Sequence, residues 1–329
     1  MLLDEGYRFH VQFHITNQCN LRCKHCYEGH ISHRIEWDYD EFVTAIDKLW
    51  SCFHKWGVLG EISLIGGEPT MHPRFYDMVR YLYGRGDVHG ISILTNGVCI
   101  DQEFIRVAKE NDCHIQVSID GATAEGHDFI RGNGNYQRTL DNSRCMADAG
   151  LSLSAHYVLS KYTTPVQEDL FLRLLDSGIS QIAFSRLVPF GNANQSEMMS
   201  REETKNVFSW IEQMRQKYEP RGLYFGTTRP LWCLVGHEGK CPVAHQTITI
   251  LEDGTILPCR RLPIPLGNIK RDSFYKVWYT SEVLDNIRNR THIDTCGSCT
   301  HLEKCGGARC IAYATTGDYM AKDPQCWII

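Results

Sequence analysis

The chain has 329 residues, of which 34 are basic and 39 acidic, so that its net charge at neutral pH is −5. This balance argues against nucleic acid or an anionic membrane surface as a partner, because both are bound by counterion release to basic patches. No apolar run reaches the roughly 18 residues that a membrane span needs. The opening fourteen residues, MLLDEGYRFHVQFH, lack the segments of a secretory signal, which predicts a cytoplasmic protein.

Apolar strand-like runs alternate with amphipathic helical runs over the first two thirds of the chain. Six strands are predicted, at Phe9–Thr16, Glu61–Gly67, Gly90–Asn96, His114–Asp120, Leu151–Leu159 and Gln181–Val188. Helices are predicted at Tyr39–Trp56, Arg74–Gly84, Asp101–Asn111, Tyr136–Ala149, Pro165–Ser177 and Ser200–Tyr218. The alternation predicts parallel strands covered by helices. Because a closed barrel has eight such units, we expect a partial (β/α)6 TIM-like barrel, with a doubly wound sheet as the alternative.

The last hundred residues have a different character. They contain short strand-like pieces, prolines at 258, 263 and 265, and eight of the chain's fifteen cysteines. This composition predicts a small cysteine-rich α+β domain that bound metal helps to hold together. The chain is therefore expected to divide into residues 1–220 and 221–329, the second containing a β-hairpin that turns at Gly254.

Three cysteines, Cys19, Cys23 and Cys26, follow the first predicted strand in the string CNLRCKHC. Parallel α/β folds place their chemistry in such loops. Three thiolates can hold three irons of a 4Fe–4S cluster and leave the fourth iron open, as in a catalytic centre. The alternative is a zinc site whose fourth ligand is a nearby histidine, from among His14, His25 and His30.

Short motifs also stand at the ends of the next predicted strands. Gly66-Gly67-Glu68-Pro69 ends the second strand, where the glycines let a ligand approach the backbone and Glu68 offers a carboxylate to an ammonium group. Thr95-Asn96-Gly97 ends the third strand, Ser118-Ile119-Asp120-Gly121 the fourth, and Arg131 lies in HDFIRG.

The triad and these motifs together resemble the radical S-adenosylmethionine (SAM) superfamily. The resemblance implies that the triad binds a 4Fe–4S cluster, and that the GGEP motif holds the amino group of SAM. It also implies that SAM chelates the open iron through its amino and carboxylate groups. Ser118 and Arg131 are then expected at the carboxylate or ribose of SAM, with Thr95 and Asn96 in the same site. Turn formation is the alternative role for Thr95 and Asn96, and simple surface exposure that of Arg131.

The C-terminal cysteines resemble those of the SPASM domain, an extension of radical SAM enzymes that typically mature peptides. The likeness includes the strings LGNI, SFYKVW and GGARCIAYATTGDYMAKDPQC. It implies two auxiliary 4Fe–4S clusters, the first held by Cys233, Cys241, Cys259 and Cys310 and the second by Cys296, Cys299, Cys305 and Cys326. Four residues separate Cys305 from Cys310 where the family usually has three, and Cys233 is less securely placed than the other cysteines. An open iron or a non-cysteine ligand in the first cluster is therefore an alternative. For the C-terminal domain as a whole, the alternative is a zinc-ribbon-like structural domain.

The resemblance implies reductive cleavage of SAM to methionine and a 5′-deoxyadenosyl radical that abstracts hydrogen from a substrate. An external one-electron donor such as flavodoxin or ferredoxin is expected as a partner. The leading prediction is oxidative modification or cross-linking of a peptide or protein side chain. The alternatives are dehydrogenation, epimerisation or decarboxylation of a small molecule (a sugar, aminoglycoside or tetrapyrrole), or an iron–sulfur electron carrier without enzymatic activity.

Two adjacent arginines, Arg260 and Arg261, narrow the substrate class. Sulfatase maturases of this family carry an aspartate base where this chain has Arg260, which disfavours a formylglycine-generating role. The pair is a candidate for binding a carboxylate or phosphate, with solvated basic residues as the alternative. The general base is left open among Glu125, His156, Tyr157, Arg186 and His245.

Overall fold

The computed structural model of the chain describes residues 7–29, 33–227, 229–237, 239–290 and 295–328. Its strands are β1 Arg8–Thr16, β2 Leu59–Gly66, β3 Val88–Thr95, β4 Cys113–Ser118, β5 Ser152–Leu159, β6 Gln181–Arg186, β7 Tyr224–Gly226, β8 Thr247–Ile250, β9 Thr255–Leu257 and β10 Gly267–Asn268. Its α-helices are α1 Tyr39–Trp56, α2 Phe75–Gly84, α3 Gln102–Glu110, α4 Ala124–Arg131, α5 Asn135–Asp148, α6 Asp169–Asp176, α7 Arg201–Tyr218, α8 Phe274–Thr280, α9 Glu282–Asn289 and α10 Arg309–Thr316.

All ten of these strands form one sheet, in the order β10-β9-β8-β1-β2-β3-β4-β5-β6-β7. Strands β1 to β7 are neighbours in chain order and all parallel. Right-handed crossovers that always step in one direction place the helices on one face of the sheet. A doubly wound sheet reverses its strand order instead. The predicted partial barrel is therefore confirmed, and the alternative of a doubly wound sheet does not match this strand order.

Helix α1 shows how local sequence sets the element bounds. Asp38 accepts hydrogen bonds from the backbone N–H groups of Asp40 and Glu41, as an N-cap does. Gly57 then ends the helix in the left-handed conformation, with φ of 66°. The helix buries an apolar stripe that includes Phe53, whose ring centroid lies 4.9 Å from that of Phe9 on β1.

Strand β1 separates the apolar layer from a polar barrel interior. Its Phe9, Val11 and Phe13 are fully buried, and the Phe9 and Phe13 rings pack against helical side chains of α1. The intervening side chains face the other way and form polar contacts across the sheet. His10 Nε2 lies 2.7 Å from the hydroxyl of Ser63 on β2. The concave side of the sheet is therefore lined with polar groups.

The C-terminal residues extend the same sheet at both edges. Strand β8 pairs in parallel with β1, and β7 with β6, so the hydrogen-bonded sheet continues beyond residue 220. The predicted hairpin is present as antiparallel β8 and β9, with Gly254 at φ of 89°. Arg186 at the end of β6 makes a two-pronged ion pair with buried Asp323, at 2.9 and 2.7 Å. Among the described residues no helix is both long and apolar enough to cross a membrane.

Candidate active site

Most of the residues predicted for the cysteine triad and the SAM site line one cavity at the carboxyl ends of β1 to β4. The cavity measures about 1190 Å³, including the space at its open mouth. Nine of the predicted residues line it: Cys19, Cys23, Cys26, Gly66, Gly67, Thr95, Asn96, Ser118 and Arg131. The structure thus brings together residues that lie more than a hundred positions apart in the chain.

The three triad thiols are largely desolvated by the loop that carries them. Burial raises the pKa of Cys19 to about 12 and raises those of Cys23 and Cys26 as well. Arg131 Nη1 lies 3.8 Å from Cys23 Sγ and favours its thiolate. Because metal ligands must be thiolates, binding of a cluster here releases protons.

The donor set suits a cluster. Within the described ranges, no three side chains of His, Cys, Asp or Glu are grouped so that they could hold a single metal ion. The thiolates of a four-iron cluster bind separate irons and need not converge on one point. Three thiols beside a cavity of this size fit a 4Fe–4S cluster with an adjoining small molecule.

Asp120 fixes the triad loop to the barrel. Its Oδ2 accepts hydrogen bonds from His25 Nε2 at 2.7 Å and Arg131 Nε at 2.6 Å, and its Oδ1 accepts one from Val158 N at 2.8 Å. Although burial by itself raises the pKa of this carboxyl, the Arg131 charge holds it well below its usual range. Asp120 therefore stands as a buried anion between the triad loop and α4.

The three histidines considered as zinc ligands have different surroundings. His25 is hydrogen-bonded to Asp120. His14 is buried, with its Nδ1 3.3 Å from Glu28 Oε1. His30 lies outside the described residues.

Glu68 and Pro69 do not line the cavity, although they directly follow the two glycines that do. Glu68 is 1% exposed, and its Oε1 accepts hydrogen bonds from the hydroxyls of Thr95 at 2.8 Å and Thr70 at 2.9 Å. Its Oε2 accepts one from the backbone N–H of Asn96 at 2.8 Å. Burial raises the pKa of Glu68. In this structure Glu68 orders the loop after β3, and its contact with the SAM ammonium group stays a prediction.

The two glycines permit a close approach of backbones. A Cβ on Gly66 would lie 2.1 Å from the carbonyl oxygen of Thr16, and one on Gly67 would lie 2.3 Å from that of Gln18. The backbone N–H of Gly67 donates to Thr16 O at 2.9 Å. The end of β2 is thereby held against the start of the triad loop, with a bare backbone on the cavity side.

Gly67→Ala is expected to displace the triad loop, because its methyl group has no space beside the Gln18 carbonyl. We expect a loss of about 1–3 kcal/mol in the free energy of unfolding, as for other overpacked sites, and weaker SAM binding. Anaerobic urea unfolding and equilibrium dialysis with SAM measure the two effects. Gly84→Ala is the control, since nothing lies within 4 Å of its added Cβ. Equal unfolding midpoints for the two variants would contradict the prediction.

The loop after β6 completes the wall of the cavity and was not predicted from the sequence. Asn192 donates its side-chain amide to Cys23 O at 3.0 Å and its backbone N–H to Cys26 O at 2.9 Å. Gly191 has φ of 65° and lies so close that a Cβ would meet Cys26 O at 2.4 Å. The Gly191-Asn192 dipeptide after a predicted strand is the signal that marks this turn.

The auxiliary cysteines line two further cavities. Cys241, Cys259 and Cys310 line one of about 740 Å³, together with several arginines. Cys296, Cys299, Cys305 and Cys326 line a smaller one of about 330 Å³. The two cavities bring together the cysteines that were expected to share a cluster, apart from Cys233, and their roles as cluster ligands stay predictions.

Cys233 lines neither cavity and lies beside Cys305 of the second group, so its predicted role as a ligand of the first cluster stays a prediction. It lies on the short helical turn Trp232–Val235, and its thiol donates a hydrogen bond to Cys305. That hydrogen bond lowers the pKa of the Cys305 thiol. The reason is packing: the Trp232 ring lies 4.6 Å from that of Phe208 on α7, which holds the turn on that side.

Of the five candidates for a general base, only His156 lines the active-site cavity. Its Nε2 lies 2.5 Å from the Ser185 hydroxyl, and burial lowers its pKa well below the usual range. Arg186 is held in its ion pair with Asp323, and the Tyr157 hydroxyl donates to the carbonyl of Thr163 at 2.6 Å. Glu125 and His245 belong to α4 and the C-terminal region, away from the cavity lining.

Comparison with known proteins gives two family matches. The model of the Radical SAM superfamily matches residues 13–174, and that of the SPASM iron–sulfur cluster-binding domain matches residues 241–300. AdoMet-dependent heme synthase of Methanosarcina barkeri is 28% identical over 96% of this chain and 95% of its own length. Mycofactocin maturase MftC of Mycobacterium tuberculosis is 25% identical over 96% of this chain and 82% of its own.

The crystal structure of Streptococcus suis SuiB bound to S-adenosylmethionine shares the fold. Its TM-score is 0.79 at 16% identity, and the match covers 98% of this chain and 78% of that one. SuiB bound to its precursor peptide SuiA gives a TM-score of 0.76. At such identity the likeness establishes the architecture, including the C-terminal part.

Proposed function

Because this chain is a radical SAM enzyme with a C-terminal SPASM iron–sulfur domain, we propose that it oxidatively modifies a peptide or protein side chain. The observation that carries the reaction class is the single cavity shared by the cysteine triad, the Gly66-Gly67 backbone and Arg131. When bound, the triad cluster supplies the electron that cleaves SAM to methionine and a 5′-deoxyadenosyl radical, which abstracts hydrogen from the substrate.

The residues of the chain have separate tasks in this proposal. Cys19, Cys23 and Cys26 hold three irons, and Asp120 with Arg131 keeps their loop in place. The backbone of Gly66 and Gly67, together with Thr95, Asn96 and Ser118, orients SAM within the cavity. The loop that contains Asn192 covers the cluster side and keeps solvent from the reacting groups.

The auxiliary domain is proposed to hold two further 4Fe–4S clusters. Cys241, Cys259 and Cys310 would bind the first, and its fourth iron would then have no cysteine from this group. Cys296, Cys299, Cys305 and Cys326 would bind the second.

We further propose that the two domains of the chain meet between residues 220 and 221. The protein is proposed to act in a reducing cytoplasm, where an external one-electron donor such as flavodoxin or ferredoxin reduces the triad cluster.

A peptide substrate is supported by the relatives, which include a mycofactocin maturase and, in fold, a protein crystallised with its precursor peptide. The test is anaerobic incubation of the cluster-loaded enzyme with SAM, reductant and peptides from the neighbouring genes. We expect 5′-deoxyadenosine and a peptide that has lost two hydrogen masses. Absence of 5′-deoxyadenosine with and without peptide would overturn the whole proposal.

A small carboxylated molecule such as a tetrapyrrole is the second candidate. The heme synthase relative favours it, because the match spans 95% of that protein's length. The same assay with a propionate-bearing tetrapyrrole in place of the peptide separates the two. Substrate-dependent product formation with the tetrapyrrole alone would replace the peptide proposal.

A further inference from the structure

Arg260 is a cation of the C-terminal region that lines the SAM cavity. It follows Cys259 in a tight turn, closed by the hydrogen bond from Leu262 N to Cys259 O at 2.8 Å. Across this turn its neighbour Arg261 lines the other cavity, with Cys241 and Cys310. The two arginines that are adjacent in the sequence therefore line different cavities, and of the two only Arg260 lines the cavity that contains the triad.

The Arg260 guanidinium contacts no hydrogen-bond or ion-pair partner in the part of the chain that the structure describes. Among the residues that the structure describes, it makes no hydrogen bond, and no carboxylate oxygen lies within 4.0 Å of it. Two carboxyl groups lie nearby, with Glu28 3.3 Å and Glu252 4.0 Å from His14 Nδ1, and the charge of Arg260 acts on Glu28 without forming an ion pair with it. A cation in a cavity wall that no carboxylate contacts favours the entry of an anion.

The histidines around Arg260 do not change the net charge that an entering anion would meet. Desolvation inside the barrel lowers the pKa of His10 to about 4 and that of His14 to about 3, and lowers that of His156 well below its usual range. These rings are therefore neutral near pH 7, where they add hydrogen-bonding groups without adding charge. Two other arginines line the cavity: Arg131 is already paired with Asp120, and Arg22 donates hydrogen bonds to the backbone carbonyls of Cys19 and Leu21.

We propose that Arg260 binds a carboxylate of the substrate and holds that substrate opposite SAM. The inference rests on the proposed function, in which this cavity holds SAM. A guanidinium forms two parallel hydrogen bonds with a carboxylate, which fixes orientation as well as position. The carboxylate can belong to a peptide or to a small molecule, because both present the same group to Arg260.

The test measures binding without turnover, on cluster-loaded protein with SAM and no reductant. The probes are a porphyrin with free propionate groups and its methyl ester, and a glutamate-containing peptide and its glutamine counterpart. We expect an acid probe to bind the wild type, and Arg260→Gln to weaken it about tenfold or more. Arg260→Lys should retain part of the affinity, and the uncharged probes should bind weakly to every variant. The acid that binds identifies the source of the carboxylate.

Arg271→Gln is the control, because the Arg271 side chain is 79% exposed and should not affect binding. Iron content and circular dichroism verify that each variant is folded and loaded. Equal affinity of the wild type and Arg260→Gln for the acid probes, or no binding of either acid to the wild type, would overturn the inference. So would a loss of SAM affinity in Arg260→Gln, which would place Arg260 on SAM itself. Failure of the proposed function is distinct, since it appears as missing 5′-deoxyadenosine while the probes still bind.

Discussion

Replacement of Cys19, Cys23 and Cys26 by alanine is expected to lower the bound iron from about twelve to about eight atoms per chain and to abolish SAM cleavage. The triad lines its own cavity, and the auxiliary cysteines line two others. The two auxiliary clusters should therefore remain when the first is lost. Iron and sulfide analysis after anaerobic reconstitution gives the cluster count, and chromatographic detection of 5′-deoxyadenosine gives the activity.

The control for this experiment is Cys145→Ala. Cys145 is an exposed thiol on α5 that lines none of these cavities, so its variant should keep the full iron content and the full cleavage activity. An unchanged iron content in the triad variant would show that these cysteines hold no cluster. Iron near zero would show that the three clusters do not load independently.

The main strands and helices were predictable because their apolar residues recur with a clear period. Helix α1 begins and ends at the predicted residues, since both of its caps are encoded locally by Asp38 and Gly57. Helix α4 was missed because its buried face consists of His127, Ile130 and Arg131, which no hydrophobic period identifies. Strands β7 and β8 are three and four residues long, and their pairing with β6 and β1 depends on tertiary contacts.

The site was predictable to the extent that it follows the strand ends. Parallel strands end at one edge of the sheet, so motifs after successive strands had to meet there. Contacts between segments that are distant in the chain could not be predicted from the sequence. Cys233 joins Cys305 through packing of its helical turn, and Arg260 and Arg261 separate because the backbone turns between them. The role of Asp120 requires knowing that His25, 95 residues away, folds back onto it.

Asp120→Asn is expected to lower the free energy of unfolding by about 3–5 kcal/mol, the cost of leaving a buried charge without its partner. Asp120 is 1% exposed and Arg131 is 8% exposed, so water cannot replace the lost carboxylate. The amide also presents a donor where Oδ2 or Oδ1 had accepted hydrogen bonds from His25, Arg131 and Val158. Anaerobic urea unfolding of the cluster-loaded protein measures the loss.

The same substitution should release the triad loop, because His25 lies between two of the three cysteines and Arg131 lies 3.8 Å from Cys23 Sγ. Iron should therefore fall toward about eight atoms per chain, with the auxiliary clusters retained. The matched control is Glu103→Gln, which removes a carboxylate paired with Arg80 and Arg106 on the protein surface. Glu103 and both of its arginine partners are exposed to solvent, so the loss of these ion pairs should leave the free energy of unfolding and the iron content nearly unchanged. If Asp120→Asn unfolds at the same urea concentration as Glu103→Gln, the buried carboxylate does not hold the triad loop, and the order of that loop must come from its contacts with Gly67 and Asn192 instead.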